Sequence, residues 1–488
     1  MAIESGHSCT ACCGCSLSRR RFLATGSAAA AALALPRVVR AAAEGVADEG
    51  PVEAASLRPR PEVRVLAAIV RIPPPYWLGW PGTSYDLPRF EREYTDALQR
   101  AAGTLGVRVA MNEVPLQDAA SHQAFQERIR AEQPHGVVVI LQHMAGWDQA
   151  QAIAALGVPT IVFAPVGTAF TGHVREFSRK PGVYVVSSLD VGGMEYGLRM
   201  IRAKRRFEAT RVLWIHGASR GEEVMERLGV KVRTLPRRCF NERFDITPET
   251  AEVHRVAKRM RRAAKRVVEP AEADLRNASR TYVTAKELLR EEGANALSMD
   301  CLGMVGSRLV PTPPCMAWSM LQDAGVTAGC EADLFAAVSL MFTSYLFDKP
   351  GFINDPVPET RKNLLIASHC TCGSRLRGFA QDPEPFILRS HSESDKGVSM
   401  QVLWPRGEPV TLVRFGSPHD LILDSGVVEE NLNTPPAGGC RTSFEIRMDG
   451  VQDARDVEGF HQVVFLGDHR REVEAFAQLY GITVRHSA

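Results

Sequence analysis

The sequence predicts an α/β protein: two flavodoxin- or Rossmann-like parallel-sheet domains followed by a β-rich C-terminal domain. Three observations carry this. From Val63 onward, short β-branched apolar runs alternate with stretches of helical spacing, the pattern of a parallel sheet covered by helices. A second alternating series begins near Val183. Beyond residue 348 the pattern changes to short strands separated by turn residues.

In order, Val63–Val70 reads as a strand, Phe90–Ala102 as a helix and Val107–Met111 as a strand. A helix around Ala119–Ala131 follows, then the strand Gly136–Leu141, a helix near Asp148–Leu156 and the strand Val158–Phe163. Neither a G-x-G-x-x-G nor a P-loop motif marks this layer as a nucleotide site. The second unit opens with Val183–Ser187 and continues through the helix Gly193–Arg202 and the strand Arg211–Ile215. Next comes a basic stretch in which Val256, Met260, Ala264 and Val267 share a face at helical spacing, so its charges read as a solvated helix face. The helix Ala285–Glu292 precedes the strand Ala296–Met299. Pro405-Arg406-Gly407-Glu408, between Gln401–Trp404 and Val410–Phe415, gives a hairpin signal. Asp420–Leu423, Ser443–Arg447 and Gln462–Leu466 complete the strands, and Arg470–Tyr480 closes the chain as a helix.

The expected boundaries are a signal segment at 1–43, a linker at 44–61, and domains at 62–168, 169–347 and 348–488. The 488 residues are 45% hydrophobic and 23% charged, enough for several buried cores. A net charge of +2 gives no reason to expect a nucleic-acid partner, and no apolar run after the first forty residues is long enough for a stable membrane span.

Ser18-Arg19-Arg20-Arg21-Phe22-Leu23 fits the twin-arginine export pattern. The short apolar stretch Ala24–Leu35 and small residues at Ala41-Ala42-Ala43 follow it. The expectation is recognition by the twin-arginine machinery and a periplasmic or otherwise extracytoplasmic location. The alternative is a disordered basic leader. Cys9, Cys12, Cys13 and Cys15 crowd ahead of the arginines, but nothing completes a zinc motif there, and the segment would leave with the signal. The other seven cysteines show no disulfide framework and read as buried small residues.

The most distinctive passage is Gly329-Cys330-Glu331-Ala332-Asp333-Leu334, then an apolar helix to about Phe347, then Gly351-Phe352-Ile353-Asn354-Asp355-Pro356. Glu331 is expected at the helix start, where exposed N–H groups favour a carboxylate, and Asp355 in a loop beyond the helix. Such a pair occurs often without function. With the closing His461-Gln-Val-Val-Phe-Leu-Gly467-Asp468, however, the passage resembles the L-fucose isomerase-like branch of the L-fucose/L-arabinose isomerase superfamily. Pro314-Cys315, the stretch Ala317 to Gly325, and Ser390-His391-Ser392-Glu393 with Gly397 fit the same family. The resemblance is good over about Ala294–Ile482 and only architectural before that.

The resemblance implies one divalent cation, usually Mn²⁺, bound by Glu331, Asp355 and His461. Oxygen ligands with one imidazole suit such an ion. It further implies a sugar substrate, aldose–ketose isomerisation through an enediol, and Glu331 and Asp355 acting as the acid/base pair. His369 and His391 are expected as substrate-contacting or supporting groups, and Trp80, near Trp77 and Tyr85, as a sugar-stacking face. A homo-oligomer is expected, because in this family a neighbouring subunit helps cover the site. Two other readings share these residues: a sugar-binding relative without turnover, and a metal-dependent epimerase.

Overall fold

The computed structural model describes residues 51–76, 82–307, 312–433 and 439–488. The arginine motif, the N-terminal cysteine cluster, Trp77 and Trp80 lie outside the described residues.

The first layer is a five-stranded parallel sheet of β1 (Arg64–Val70), β2 (Arg108–Met111), β3 (Gly136–Leu141), β4 (Thr160–Pro165) and β5 (Val183–Ser188). Their order, β2-β1-β3-β4-β5, is the flavodoxin-like one. Every residue of β3 and β4 is buried, as expected for strands with helices on both faces. The strand expected to open the second unit is therefore the last strand of the first sheet. Strand pattern alone does not say which sheet a strand joins.

The second layer follows with β6 (Arg211–Ile215), β7 (Gly221–Val224) and β8 (Lys231–Leu235). The two-residue strand β9 (Arg266–Val267), β10 (Ala296–Met299) and β11 (Thr327–Gly329) come next. The sheet order is β11-β10-β6-β8-β7, with only β7 antiparallel. The basic helix spans Ala251–Ala263 and buries Val253, Val256, Ala257 and Met260. Its charges line the opposite face, but Val267 leaves the helix and lies in β9. Part of the stretch expected as a linker is docked on this layer. Ala54 and Leu57 are buried in its core, and Asn295 Nδ2 donates to Leu57 O at 2.9 Å.

The last part contains β12 (Phe352–Glu359), β13 (Leu364–His369), β14 (Phe386–Arg389), β15 (Ser399–Val402), β16 (Pro409–Ser417), β17 (Asp420–Asn431), β18 (Thr442–Met448), β19 (Gln462–Leu466) and β20 (Thr483–Arg485). Antiparallel pairing runs β16-β19-β12-β13-β18-β17, and β17 pairs back to β16, so six strands close into a barrel. Closure removes the exposed edges that an open antiparallel sheet would present. The hairpin expected around Pro405–Glu408 does not form. β15 pairs with β14 in a separate small sheet, and the hairpin partner of β16 is β17. The Pro-Arg-Gly-Glu turn instead carries the chain from one sheet to the other.

The helix Leu334–Phe347 joins these parts. Ala336 to Leu346 are all buried, as expected of a helix apolar on every side. Asp348 follows in the left-handed region (φ 51°), where its carboxylate takes Arg199 at 2.6 Å, Arg202 at 2.8 Å and Arg206 at 3.2 Å. Gly351 then turns the chain into β12 so tightly that a Cβ there would collide with Val463 and stand 2.8 Å from Thr343 Oγ1. Gly351→Ala is expected to cost about 1–3 kcal/mol in denaturant unfolding through overpacking. Among the described residues no helix is long and apolar enough to cross a membrane.

Candidate metal centre

Strand register brings the barrel's share of the site together. β12 pairs with β13 on one side, Asp355 opposite Ser368, and with β19 on the other, Asn354 opposite Gln462. His369, the last residue of β13, and His461, just before β19, therefore lie level with Asp355 on the neighbouring strands. Asp355 is a strand residue, not the loop residue expected. A strand fixes its carboxylate against two neighbours, which a loop would not.

Glu331 comes from the other side. It is not in the helix: the N-cap is Asp333, whose Oδ1 accepts from Ala336 N at 2.8 Å. Glu331 and Ala332 form the turn between β11 and that helix, both with positive φ (56° and 55°). Such a conformation is unfavourable for residues with a Cβ and is held only where neighbours enforce it. Here Ala332 N donates to Met299 O at 2.9 Å and Trp214 Nε1 donates to Ala332 O at 2.6 Å. His461 is also left-handed, φ 55°. Two of the three residues expected as metal ligands thus sit on strained backbone.

The side chains converge. His461 Nε2 lies 3.3 Å from Asp355 Oδ1 and 3.6 Å from Glu331 Oε2, and His369 Nε2 lies 3.8 Å from Glu331 Oε1. The rings of His369 and His461 are edge to face, 5.8 Å apart. Both Nε2 atoms are buried without a well-formed hydrogen bond: that of His461 has only its ion pairs with Asp355 and Glu331, and that of His369 is left without a hydrogen-bond partner, a costly arrangement unless another group completes it. Neighbouring ligands of an octahedral cation at about 2.1 Å stand about 3 Å apart. Glu331, His369 and His461 each offer a donor atom within 4.8 Å of the others, and Asp355 stands beside His461, which leaves room for one ion among them. Two carboxylates and two imidazoles also have the donor chemistry for a hard or borderline divalent cation.

A supporting layer fixes the histidines. His461 Nδ1 donates to Asp333 Oδ2 at 3.0 Å, and Arg414 on β16 grips the same carboxylate through Nη1 at 3.0 Å and Nη2 at 2.9 Å. The Nδ1 contact orients the ring with Nε2 toward Glu331 and Asp355. Burial raises the Asp333 pKa, but its hydrogen bonds from His461 and Arg414 outweigh this and hold the carboxyl well below the usual range. Burial lowers His461, and Asp333, Asp355 and Glu331 together overcome it, pushing the imidazole up to about 9. Burial brings His369 down to about 4 against the pull of Asp355, so its ring is neutral and one of its nitrogens is open to a ligand role. Glu331 is raised by burial and by Asp355, Glu393 and Asp300, with His461 opposing.

The cavity over these groups is also lined by His391, Glu393 and five cysteines, Cys301, Cys315, Cys330, Cys370 and Cys440. His391 faces this cavity but belongs to a different cluster, Cys315–Cys370–His391. Tyr85 is not at the site: it stacks on Phe90 at 4.5 Å and hydrogen-bonds Tyr94 at 3.0 Å. Sequence reasoning gave no role to Asp333, Arg414 or Phe460. Phe460 is 61% exposed and stacks on His461 at 4.1 Å, an uncovered aromatic face beside the ligands. An exposed aromatic next to a functional histidine was the available signal for Phe460. For Arg414 it was a lone cation in an apolar strand.

No protein-family model matches the chain. A sulfoquinovose isomerase from Clostridium sp. (strain MSTE9) is 24% identical over 207 residues, which is 41% of this chain and 46% of that protein. The match thus spans under half of the relative's length. The solved XylFII molecule and a XylFII-LytSN complex mutant are 11% and 10% identical over 54% of this chain and 93% and 92% of theirs. Both have a TM-score of 0.17, too low to bear on the fold. What the comparisons show is a distant similarity to a sugar isomerase.

Proposed function

We propose that this chain is a metal-dependent sugar isomerase that interconverts an aldose and a ketose. The observation that carries the proposal is the cluster of Glu331, His369 and His461, with Asp355 3.3 Å from His461 Nε2 and two buried imidazole nitrogens among these groups. Similarity to a sulfoquinovose isomerase supports the same reaction class.

Glu331, Asp355 and His461 would hold the cation, Mn²⁺ or another divalent ion, and His369 adds a fourth donor that the family resemblance did not supply. When bound, such an ion stabilises negative charge developing on the substrate's carbonyl and adjacent hydroxyl oxygens. The chain's residues do the rest. A carboxylate beside the reacting carbons takes the C–H proton and returns it to the neighbouring carbon. Glu331 is the carboxylate assigned to take and hold that proton. Asp355, opposite, serves the proton exchange at the oxygens. Phe460 offers an apolar face of the kind that covers sugar C–H surfaces. Trp80 as a stacking face, homo-oligomer formation, twin-arginine export and an extracytoplasmic location complete the proposal.

The test is solvent-deuterium exchange. The purified chain, loaded with Mn²⁺, is incubated in D₂O with a panel of aldoses and ketoses that includes sulfoquinovose. Deuterium at the carbon next to the carbonyl, with product formed, is the expected result. No retained metal and no exchange with any sugar would overturn the proposal. Exchange without ketose formation would favour an epimerase, and sugar binding without exchange a binding protein.

A further inference from the structure

Five of the seven described cysteines line one cavity, which the packing role expected for them does not require. Three residues there stand out. Cys315 begins the helix Cys315–Asp323, Cys370 follows β13, and His391 follows β14. Their exposures are 3%, 7% and 6%. One donor atom from each lies within 4.8 Å of the others.

The histidine is held in place. His391 N donates to Lys396 O at 2.9 Å and Asp395 N donates to His391 O at 2.8 Å, closing a tight turn. Ser394 Oγ engages His391 Nδ1 at 3.0 Å, which leaves Nε2 as the remaining ring nitrogen. This is the usual way a ligating histidine is oriented by its second nitrogen. Cys370 interacts with both Cys315 and Cys440, so a further thiol stands at the cluster.

We propose that Cys315, Cys370 and His391 form a second metal site, thiolate-rich and selective for a soft or borderline ion such as Zn²⁺. Its fourth position falls to the Cys440 thiol or to solvent. In a tetrahedral site with Zn–S near 2.3 Å and Zn–N near 2.0–2.1 Å, donors stand about 3.5–3.8 Å apart. The observed spacing, at most 4.8 Å, needs a contraction of no more than about 1.0–1.3 Å. Binding replaces the thiol protons, which pass to solvent, and involves no oxidant or reductant. The donor set differs from that of the carboxylate–imidazole centre, so the two sites sort ions by ligand softness. Cys370 directly follows His369, so an ion here would also fix the end of β13 that carries His369. This site goes beyond the isomerase proposal and does not depend on it.

The experiment uses the full chain with Cys9, Cys12, Cys13 and Cys15 each changed to Ser, so that the N-terminal thiols cannot take the ion; it is stripped of metal, saturated with Mn²⁺ and then given one equivalent of Zn²⁺. Zinc-edge X-ray absorption is expected to show two or more sulfur scatterers at about 2.3 Å. Nitrogen and oxygen scatterers alone would overturn the proposal without any substitution in the site. In parallel, Co²⁺ should produce thiolate-to-metal charge-transfer absorption that Zn²⁺ abolishes. Cys315→Ser and Cys370→Ser should lose this band, and Cys239→Ser, outside the cavity, should keep it. A band unchanged in both site variants would likewise overturn the assignment. Manganese retention, read by electron paramagnetic resonance, separates the two centres: its loss with sulfur-bound zinc intact counts against the carboxylate site alone.

Discussion

Glu331→Gln is expected to lower turnover by about a thousandfold or more without unfolding the protein. The substitution preserves shape and removes two things together: a charged ligand and the group that takes the substrate proton. General acid–base catalysis alone is worth about 10²–10⁴-fold, and loss of an anionic ligand weakens the cation's hold as well. Stability should not fall with activity. In the metal-free protein Glu331 faces Asp355 and is raised by burial, so its ionised form is disfavoured by the fold. Its side chain is 32% exposed, and what an amide would lose is its partial share, beside Asp333 and Asp355, in holding the His461 proton. Activity is read by deuterium exchange and stability by denaturant unfolding. A variant that keeps turnover within tenfold of the parent would remove Glu331 from the chemistry. One that loses several kcal/mol of stability would make it a structural carboxylate.

The split between these outcomes reflects how the site is built. Functional groups held in strained or repelling arrangements cost stability that the scaffold supplies elsewhere. Here the scaffold is the buried helix Leu334–Phe347 and the barrel strands on either side of Asp355. The left-handed φ at Glu331, Ala332 and His461 is the visible sign of that cost.

Much of this was legible in the sequence, and the reason differs from element to element. β3, β10 and β19 and the helix Arg470–Tyr480 match their sequence patterns residue for residue, because each is a strongly periodic stretch bounded by turn residues or caps. The position of Val183–Ser188 was not legible, because joining a sheet depends on a partner strand far away in sequence. The same holds for β15 and β16. Their local turn signal is real, but each strand finds longer pairing elsewhere, and long-range pairing overrode a local preference. At the site, Glu331, Asp355 and His461 were picked out together by resemblance, and the structure places them within a few ångströms of one another. Their local settings were misread. Asp333, not Glu331, takes the helix cap, since an N-cap side chain needs an extended backbone that the left-handed turn at Glu331 does not supply. His369 read as a supporting group because only register shows that the end of β13 is level with Asp355. Asp333 and Arg414 were hidden for a similar reason: their pairing spans 81 residues of sequence.

That pairing leads to the second large effect, a strong pH dependence of metal binding. In the metal-free protein His461 carries a proton up to about pH 9, held by Asp333, Asp355 and Glu331. A cation must displace that proton, so affinity should rise about tenfold per pH unit from neutrality and level off near pH 9. The sign for stability is opposite. The folded-state pKa lies above the ordinary histidine value of about 6.5, so the ion pairs stabilise the metal-free fold fully below that pH. This contribution, on the order of 3 kcal/mol at about 1.4 kcal/mol per unit, is lost as pH rises through 9. Bound metal should abolish the loss. Asp333→Asn separates the two roles of the carboxylate. It weakens the grip on the proton, so the pH slope of metal affinity should flatten. Above pH 9, where the proton no longer competes, affinity should still fall by about 10–100-fold, because the ring has lost the partner that aims Nε2. Isothermal titration with Mn²⁺ at several pH values reads both. An unchanged slope would mean that Asp333 does not hold the His461 proton, and an unchanged plateau would mean that Arg414 and the strand position the ring without it.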